Sequence, residues 1–160
     1  MTTIGVLHPG AMGAAVGAAL VSSGHDVFWA SAGRSEQSHQ RAREAGLRDV
    51  VRVDALIAES EMVLSICPPH AALQVARRAI GISGIFVDAN AISPDTSARI
   101  GALIGGAYVD GGIIGPPPLR DGTTRLYLSG AGAGRVADHF SGARIEPRVI
   151  TGAGPTAASA

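Results

Sequence analysis

The stretch Thr3-Ile4-Gly5-Val6-Leu7-His8-Pro9-Gly10-Ala11-Met12-Gly13 decides how the rest of the chain is read. Five residues of mostly apolar character give a short strand, His8-Pro9-Gly10 punctuates it as a turn, and Ala11 to Ser23 reads as a helix ended by Gly24. A strand, a tight turn and a helix in that order is the place where a dinucleotide fold carries G-x-G-x-x-G: glycine for the sharp turn, glycine where backbone approaches the pyrophosphate, glycine where helix packs on strand. The spacing here falls on His8, Gly10 and Gly13, so the second and third positions match and the first is histidine. Gly10 leaves the amides at the helix N-terminus free to face phosphate oxygens, and Gly13 with Ala14 lets the helix lie close to the strand. A tight strand-to-helix turn with no ligand is the competing reading.

Working outward, the alternation continues. Asp26 to Trp29 is a second strand, and Ser35 caps a polar helix running to Ala45 with Gly46 beyond it. Asp54 is expected to cap a short helix to Ser60, Met62 to Ile66 to be a strand, and His70 to Ile80 a helix. Ile85 to Val87 is the next strand, and Ser93-Pro94 starts a helix to about Ile104 as cap and first helical residue. Ala107 to Ile114 and Arg125 to Leu128 read as strands on either side of the loop Gly115 to Thr124. Val136 to Phe140 is helical, Ile145 to Ile150 a last strand, and Gly154-Pro155 the start of a further helix. Strands alternating with helices predict an α/β fold, a doubly wound Rossmann-type, mostly parallel sheet with helices on both faces.

Composition narrows the chemistry. The 160 residues carry 13 basic and 13 acidic side chains, and every one of the bases is arginine. Without lysine there is no Walker phosphate loop and no lysine base or Schiff-base nucleophile within these residues. Zero net charge with scattered arginines gives no basic stripe, which argues against nucleic acid or an anionic membrane as partner. No Asp, Glu, Arg or Lys occurs from Met1 to His25. A membrane span or signal peptide does not explain this, since there is no positive leading segment and His8-Pro9-Gly10, Gly13 and Gly17 interrupt the run. The single cysteine, Cys67, excludes an internal disulfide framework and fits a reducing, cytoplasmic setting. The five histidines show no metal spacing and no G-x-S-x-G elbow occurs, so neither a metal site nor a hydrolase is expected. Gly130-Ala131-Gly132-Ala133-Gly134 lies outside the opening βαβ unit and reads as a flexible connection rather than a second phosphate loop.

The end of the second strand distinguishes cofactors. An NAD enzyme places Asp or Glu there against the ribose hydroxyls, but this chain reads Trp29-Ala30-Ser31-Ala32-Gly33-Arg34-Ser35. Arg34 with Ser31 and Ser35 offers a guanidinium and two hydroxyls at a helix N-terminus, a set suited to a 2′-phosphate; a solvated arginine in a polar loop is the alternative. The expected cofactor is NADP. Asn90 ends a central strand on the ligand-bearing edge, where it holds the nicotinamide carboxamide or a substrate oxygen, or simply forms the turn.

These residues carry a resemblance. Ile4 to Gly13, Ser23-Gly24-His25-Asp26-Val27, Leu64-Ser65-Ile66-Cys67-Pro68-Pro69, Val87 to Pro94 and Val109-Asp110-Gly111-Gly112-Ile113-Ile114-Gly115, in that order along nearly the whole chain, resemble the N-terminal domain of the β-hydroxyacid dehydrogenase superfamily. That superfamily includes 6-phosphogluconate and 3-hydroxyisobutyrate dehydrogenases and, more distantly, imine reductases. The resemblance implies a domain binding NADP or NAD over residues 1–151, with Pro9, Gly10, Ala11 and Met12 at the pyrophosphate, Ser31, Arg34 and Ser35 at the 2′-phosphate, Cys67, Pro68 and Pro69 on the ribose side, Asn90 at the nicotinamide, and Gly111 and Gly112 facing substrate. It also implies that residues 152–160 begin an interdomain helix, and that a helical C-terminal domain absent from this chain completes the active site and a homodimer.

Two departures matter. Where hydroxyacid dehydrogenases usually carry Ser-Gly-Gly, this chain has Ile114-Gly115-Pro116, which resembles the imine reductase version and suits a less polar substrate. The family's lysine follows G-x-G-x-x-x-K, and Gly152-Ala153-Gly154 brings that position to Ala158. The base is therefore expected beyond residue 160, and no catalytic residue is assigned within the chain. The function expected is an NADP-binding domain of an oxidoreductase moving a hydride between NADP(H) and a small hydroxyacid, carbonyl or imine. The alternative is a non-catalytic NADP-sensing or binding module. A methyltransferase of the same fold class is disfavoured, because its methyl donor has no pyrophosphate to require Gly10.

Overall fold

Side chains that alternate along a strand must be buried on both faces if both faces are apolar, and the first strand shows this at once. In the computed structural model, which describes residues 1–152 and 154–160, Ile4 and Val6 of β1 (Thr3–Leu7) enter one hydrophobic cluster. Leu7, with Phe28 of β2 (Asp26–Trp29), enters another. The first cluster is roofed by α1 (Ala11–Ser22), α2 (Glu36–Glu44) and α6 (Ala133–His139). The second is roofed by α3 (Val53–Glu59), α4 (Ala72–Arg77) and α5 (Pro94–Ile104). Between them runs a sheet completed by β3 (Arg48–Asp49), β4 (Met62–Ser65), β5 (Ile85–Asp88), β6 (Tyr108–Ile114), β7 (Arg125–Ser129) and β8 (Glu146–Val149). With few aromatic residues, close approach of helix to sheet supplies the packing: a Cβ on Gly17 of α1 would stand 2.8 Å from the Leu47 side chain.

The strand order is β3-β2-β1-β4-β5-β6-β7-β8. All pairs are parallel except β6 with β7, which run antiparallel across the loop that begins at Gly115. The expected doubly wound, mostly parallel fold is therefore the observed one. The order reverses between β1 and β4, and at such a switch point the loops leaving the two strands part to form a crevice. His8 to Gly13 leaves β1, and Ile66 to Pro69 leaves β4.

The structure departs from the sequence expectations in five elements, one of them α6, which begins at Ala133 rather than Val136 and so takes in the last two residues of the Gly130 to Gly134 connection. β3 was not foreseen, because two exposed residues carry no hydrophobic signal. Helix α3 begins two residues early, with Arg52 at its cap and Asp54 in its first turn, where the carboxylate meets the helix dipole without capping it. Helix α4 is short and follows a 3-10 turn at Pro69–Ala71. In place of a helix from Gly154, Ala157–Ser159 form a single 3-10 turn, drawn onto the sheet by hydrogen bonds to Asp110. The central residue of Gly152-Ala153-Gly154, on which the position of the family lysine was counted, lies outside the described residues.

Candidate functional site

The turn leaving β1 is built around a residue that is not glycine. His8 adopts φ 64°, the left-handed conformation that the fingerprint normally gives to glycine. For an L-residue this costs about 1–2 kcal/mol. Gly10 N–H donates to His8 O at 2.7 Å and holds the turn. Gly13 is required next to it, because a Cβ there would stand 2.9 Å from His8 O. A Cβ on Gly10, in contrast, would meet nothing within 4 Å, so no internal contact demands glycine at that position. Gly10 is the N-cap of α1 with no side-chain cap and no acid in the first turn. The first-turn amides have no intrahelical acceptor. The helix therefore presents bare N–H groups and the positive end of its dipole to a cavity of about 360 Å³, lined by His8 to Gly13, Arg34, Ser38, Ile66, Cys67 and Pro68.

A second cavity of about 420 Å³ opens from the same place; His8, Arg34, Cys67 and Pro68 border both, and Ala71, Gln74, Val75 and Arg78 complete it. Arg34 crosses the junction, its Nη2 donating to His8 Nδ1. An imidazole that accepts at Nδ1 carries its proton on Nε2. Burial, and then the charges of Arg34 and Arg78, hold the pKa of His8 down at about 4, so the ring is neutral at physiological pH. The loop that carries Arg34 is braced from behind: Asp49 Oδ1 accepts Ser31 N–H at 3.2 Å and Val51 N–H at 2.7 Å, and Val51 O accepts Ala32 N–H at 2.9 Å. The carboxylate nearest the end of β2 is thereby engaged with backbone.

Of the residues expected to hold a cofactor, Pro9, Gly10, Ala11, Met12, Arg34, Cys67 and Pro68 line this double cavity. Ser31, Ser35 and Pro69 do not line it. Ser35 Oγ accepts Ser38 N–H at 3.2 Å as the cap of α2. Ser38 and Arg78, which sequence reasoning missed, take places in the walls. Neither has a local signal: Ser38 is one turn into a polar helix and Arg78 ends α4, and only the packing of those helices beside β1 brings them to the crevice.

Asn90 is buried and committed. Its Oδ1 accepts Cys67 N–H at 2.6 Å, and its Nδ2 donates to Asp88 Oδ2 at 3.1 Å and to Ser65 Oγ at 3.3 Å. It ties the end of β4 to the end of β5. Behind it lies a carboxylate pair that the sequence did not single out: Asp88 and Asp110 sit opposite each other in the β5–β6 register, both fully buried. Asp110 accepts from Ser97 Oγ at 2.8 Å, Ser159 N–H at 2.8 Å, Ser159 Oγ at 2.5 Å, Ser129 Oγ at 3.3 Å and Tyr108 OH at 3.4 Å. Burial pushes the Asp88 carboxyl up to about 6, against the pull of its two Asn90 donors. Gly111 and Gly112 face protein backbone: a Cβ would stand 2.9 Å from Asp88 O and from Ala158 O respectively.

No family model matches the chain. An uncharacterised 28.5 kDa protein of Methanothermus fervidus is 35% identical over 85 residues, which are 52% of this chain and 34% of that protein. Among solved structures, a conserved protein of unknown function, described as structurally similar to 3-hydroxyacid dehydrogenases, superposes with TM-score 0.87 at 30% identity over 98% of this chain and 60% of its own. The 3-hydroxyisobutyrate dehydrogenase of Mycobacterium tuberculosis gives TM-score 0.76 at 24% identity over 98% and 57% of the two chains. An imine reductase from Pseudomonas gives TM-score 0.79 at 20% identity over 99% and 58%. The chain thus spans about a third of the curated relative and less than two thirds of these structures. The fold expected from the motifs holds in three dimensions: the chain shares its fold with a 3-hydroxyisobutyrate dehydrogenase and an imine reductase.

Proposed function

We propose that the chain is the NADP(H)-binding domain of an oxidoreductase that moves a hydride between the nicotinamide and a small hydroxyacid, carbonyl or imine substrate. The observation that carries this reading is the junction of the two cavities, where uncapped amides at the start of α1 and the Arg34 guanidinium face one space whose lining contains no carboxylate. Bare amides at a helix N-terminus suit a pyrophosphate, and a guanidinium beyond the end of β2 suits a ribose 2′-phosphate. His8 keeps the backbone course of the missing glycine and, as a neutral acceptor, turns Arg34 across the crevice. When bound, the cofactor supplies the hydride chemistry. The chain's residues bind and orient it, and Asn90 fixes the wall at its far end by joining β4 to β5.

In this proposal a helical domain beyond residue 160 supplies the proton-transfer group and the homodimer contact, and the protein works in the cytoplasm. The second reading, a module that binds NADP without catalysis, draws on one observation: the described lining residues include no carboxylate, and the buried Asp88 and Asp110 are occupied by internal donors.

Calorimetric titration with NADPH and NADH tests the cofactor. Arg34→Ala is expected to weaken NADPH binding by about 1.5–3 kcal/mol, roughly 10- to 100-fold, the range for hydrogen bonds to a charged group. NADH should bind the variant as it binds the parent. Equal affinity of the parent for the two cofactors contradicts the proposal.

A further inference from the structure

Arg78 lines the second cavity from the side opposite the β2–α2 loop, at the C-cap of α4, with Gln74 one turn before it. Arg34 and Arg78 both line this cavity, and the charge of Arg78 adds to the burial that lowers the pKa of both His8 and Arg34. Like charges brought together at a crevice repel unless an anion lies between them. Among the described residues Arg78 pairs only with Asp54, at 4.0 Å in an exposed pair, and Asp54 is also engaged by Arg52 at 3.3 Å. An ion pair that long and that wet holds the side chain weakly. The lining of the second cavity contains no acid, and Gln74 adds an amide that donates as readily as it accepts.

We propose that Arg78 and Arg34 form a two-sided clamp on one phosphate monoester in the second cavity, so that cofactor choice depends on α4 as well as on the end of β2. The inference rests on the NADP(H) reading above and extends it to a residue on the other wall. Two guanidinium forks approaching from different elements match a tetrahedral dianion better than one, because each supplies paired N–H groups to a different edge. His8, neutral and held by Arg34, fills the floor between them.

The test is a set of calorimetric titrations of the chain and its Arg78→Ala, Arg78→Lys and Arg34→Ala/Arg78→Ala variants with NADPH, NADH and 2′,5′-ADP. Arg78→Ala is expected to weaken NADPH and 2′,5′-ADP by about tenfold or more and to leave NADH within twofold. Arg78→Lys should recover part of the loss, since lysine keeps the charge and gives up the fork. In the double variant the two losses should combine non-additively, as expected of groups that hold one anion. A parent that prefers NADPH while Arg78→Ala leaves the NADPH/NADH ratio unchanged overturns the clamp and leaves the cofactor reading intact. An equal fall for both dinucleotides also overturns it, by moving Arg78 to the part of the cofactor that they share. A parent with no preference for NADPH overturns the underlying reading instead. Arg78 is exposed, and an unchanged denaturation midpoint in its variants confirms that binding alone is being read.

Discussion

The group formed by Arg34, Arg78 and the neutral His8 and the carboxylate pair Asp88–Asp110 lie at the same edge of one sheet, and the protein completes them to very different degrees. Asp110 has five donors, drawn from β6, α5, β7 and the Ala157–Ser159 turn, and Asp88 has two from Asn90. The arginines have one neutral imidazole and one distant exposed carboxylate between them. A buried polar group that is fully partnered specifies structure; polar groups left under-partnered around an open crevice are available to a ligand. Thus the carboxylates, though of the residue type that performs acid–base chemistry, support the fold, and the arginine side does the binding.

The largest expected effect breaks the supported side. Asp110→Ala removes the carboxylate that three serine hydroxyls, the Tyr108 hydroxyl and the Ser159 amide share, and about 3 kcal/mol of stability should be lost in urea denaturation. A loss below 1 kcal/mol would place Asp110 on the available side of the comparison. The next effect is one of pH. The native Asp88 carboxyl titrates near 6 and the unfolded one near 3.8, so between these values the native state binds more protons. Stability contributed at this site is therefore present at pH 4 and is lost as pH rises through 6, by an amount on the order of 3 kcal/mol. His8 works the other way. Its native pKa of about 4 against 6.5 means that stability is lost as pH falls from 6.5 toward 4. Asp88→Asn should accordingly leave a midpoint that rises from pH 4.5 to 6.5, and His8→Gln one that falls. Identical slopes in the two variants would remove either residue as the titrating group. The smallest effect is at Ser35, whose hydroxyl caps α2. Ser35→Ala should cost about 1 kcal/mol of stability and leave NADPH affinity unchanged; a loss of affinity would return Ser35 to the binding set.

The sequence showed the fold because each step of it has a local cause: β1, β2 and β5 are apolar runs, Ser35 and Ser93 are cap residues whose hydroxyls do accept first-turn amides, and Gly46 takes φ 74° just past α2. Elements lacking such a cause were missed or misjudged. The strand Arg48–Asp49 exists only because β2 offers it an edge, and the turn at Ala157–Ser159 exists because Asp110 draws it in. The site divides in the same way. Gly10, Gly13 and Arg34 are legible because their spacing from the first two strands is set by the chain itself. Arg78 and the Asp110 donors come from distant segments, and Asn90, which from sequence is either a ligand contact or a turn former, has its amide bonded to Cys67, Asp88 and Ser65, partners that lie far away in the chain or give no local signal.

The central claim is that the cofactor meets the amides of the first turn of α1 and the arginines beside it, while the carboxylate network stays closed. Amide and guanidinium NMR resonances followed as NADPH is added to the chain test it directly. The account predicts the largest shifts at Gly10 to Gly13 and at the Arg34 side chain, with Ser97, Ser129 and Ser159 unmoved. Shifts concentrated at those serines, with the first turn of α1 unchanged, would contradict it.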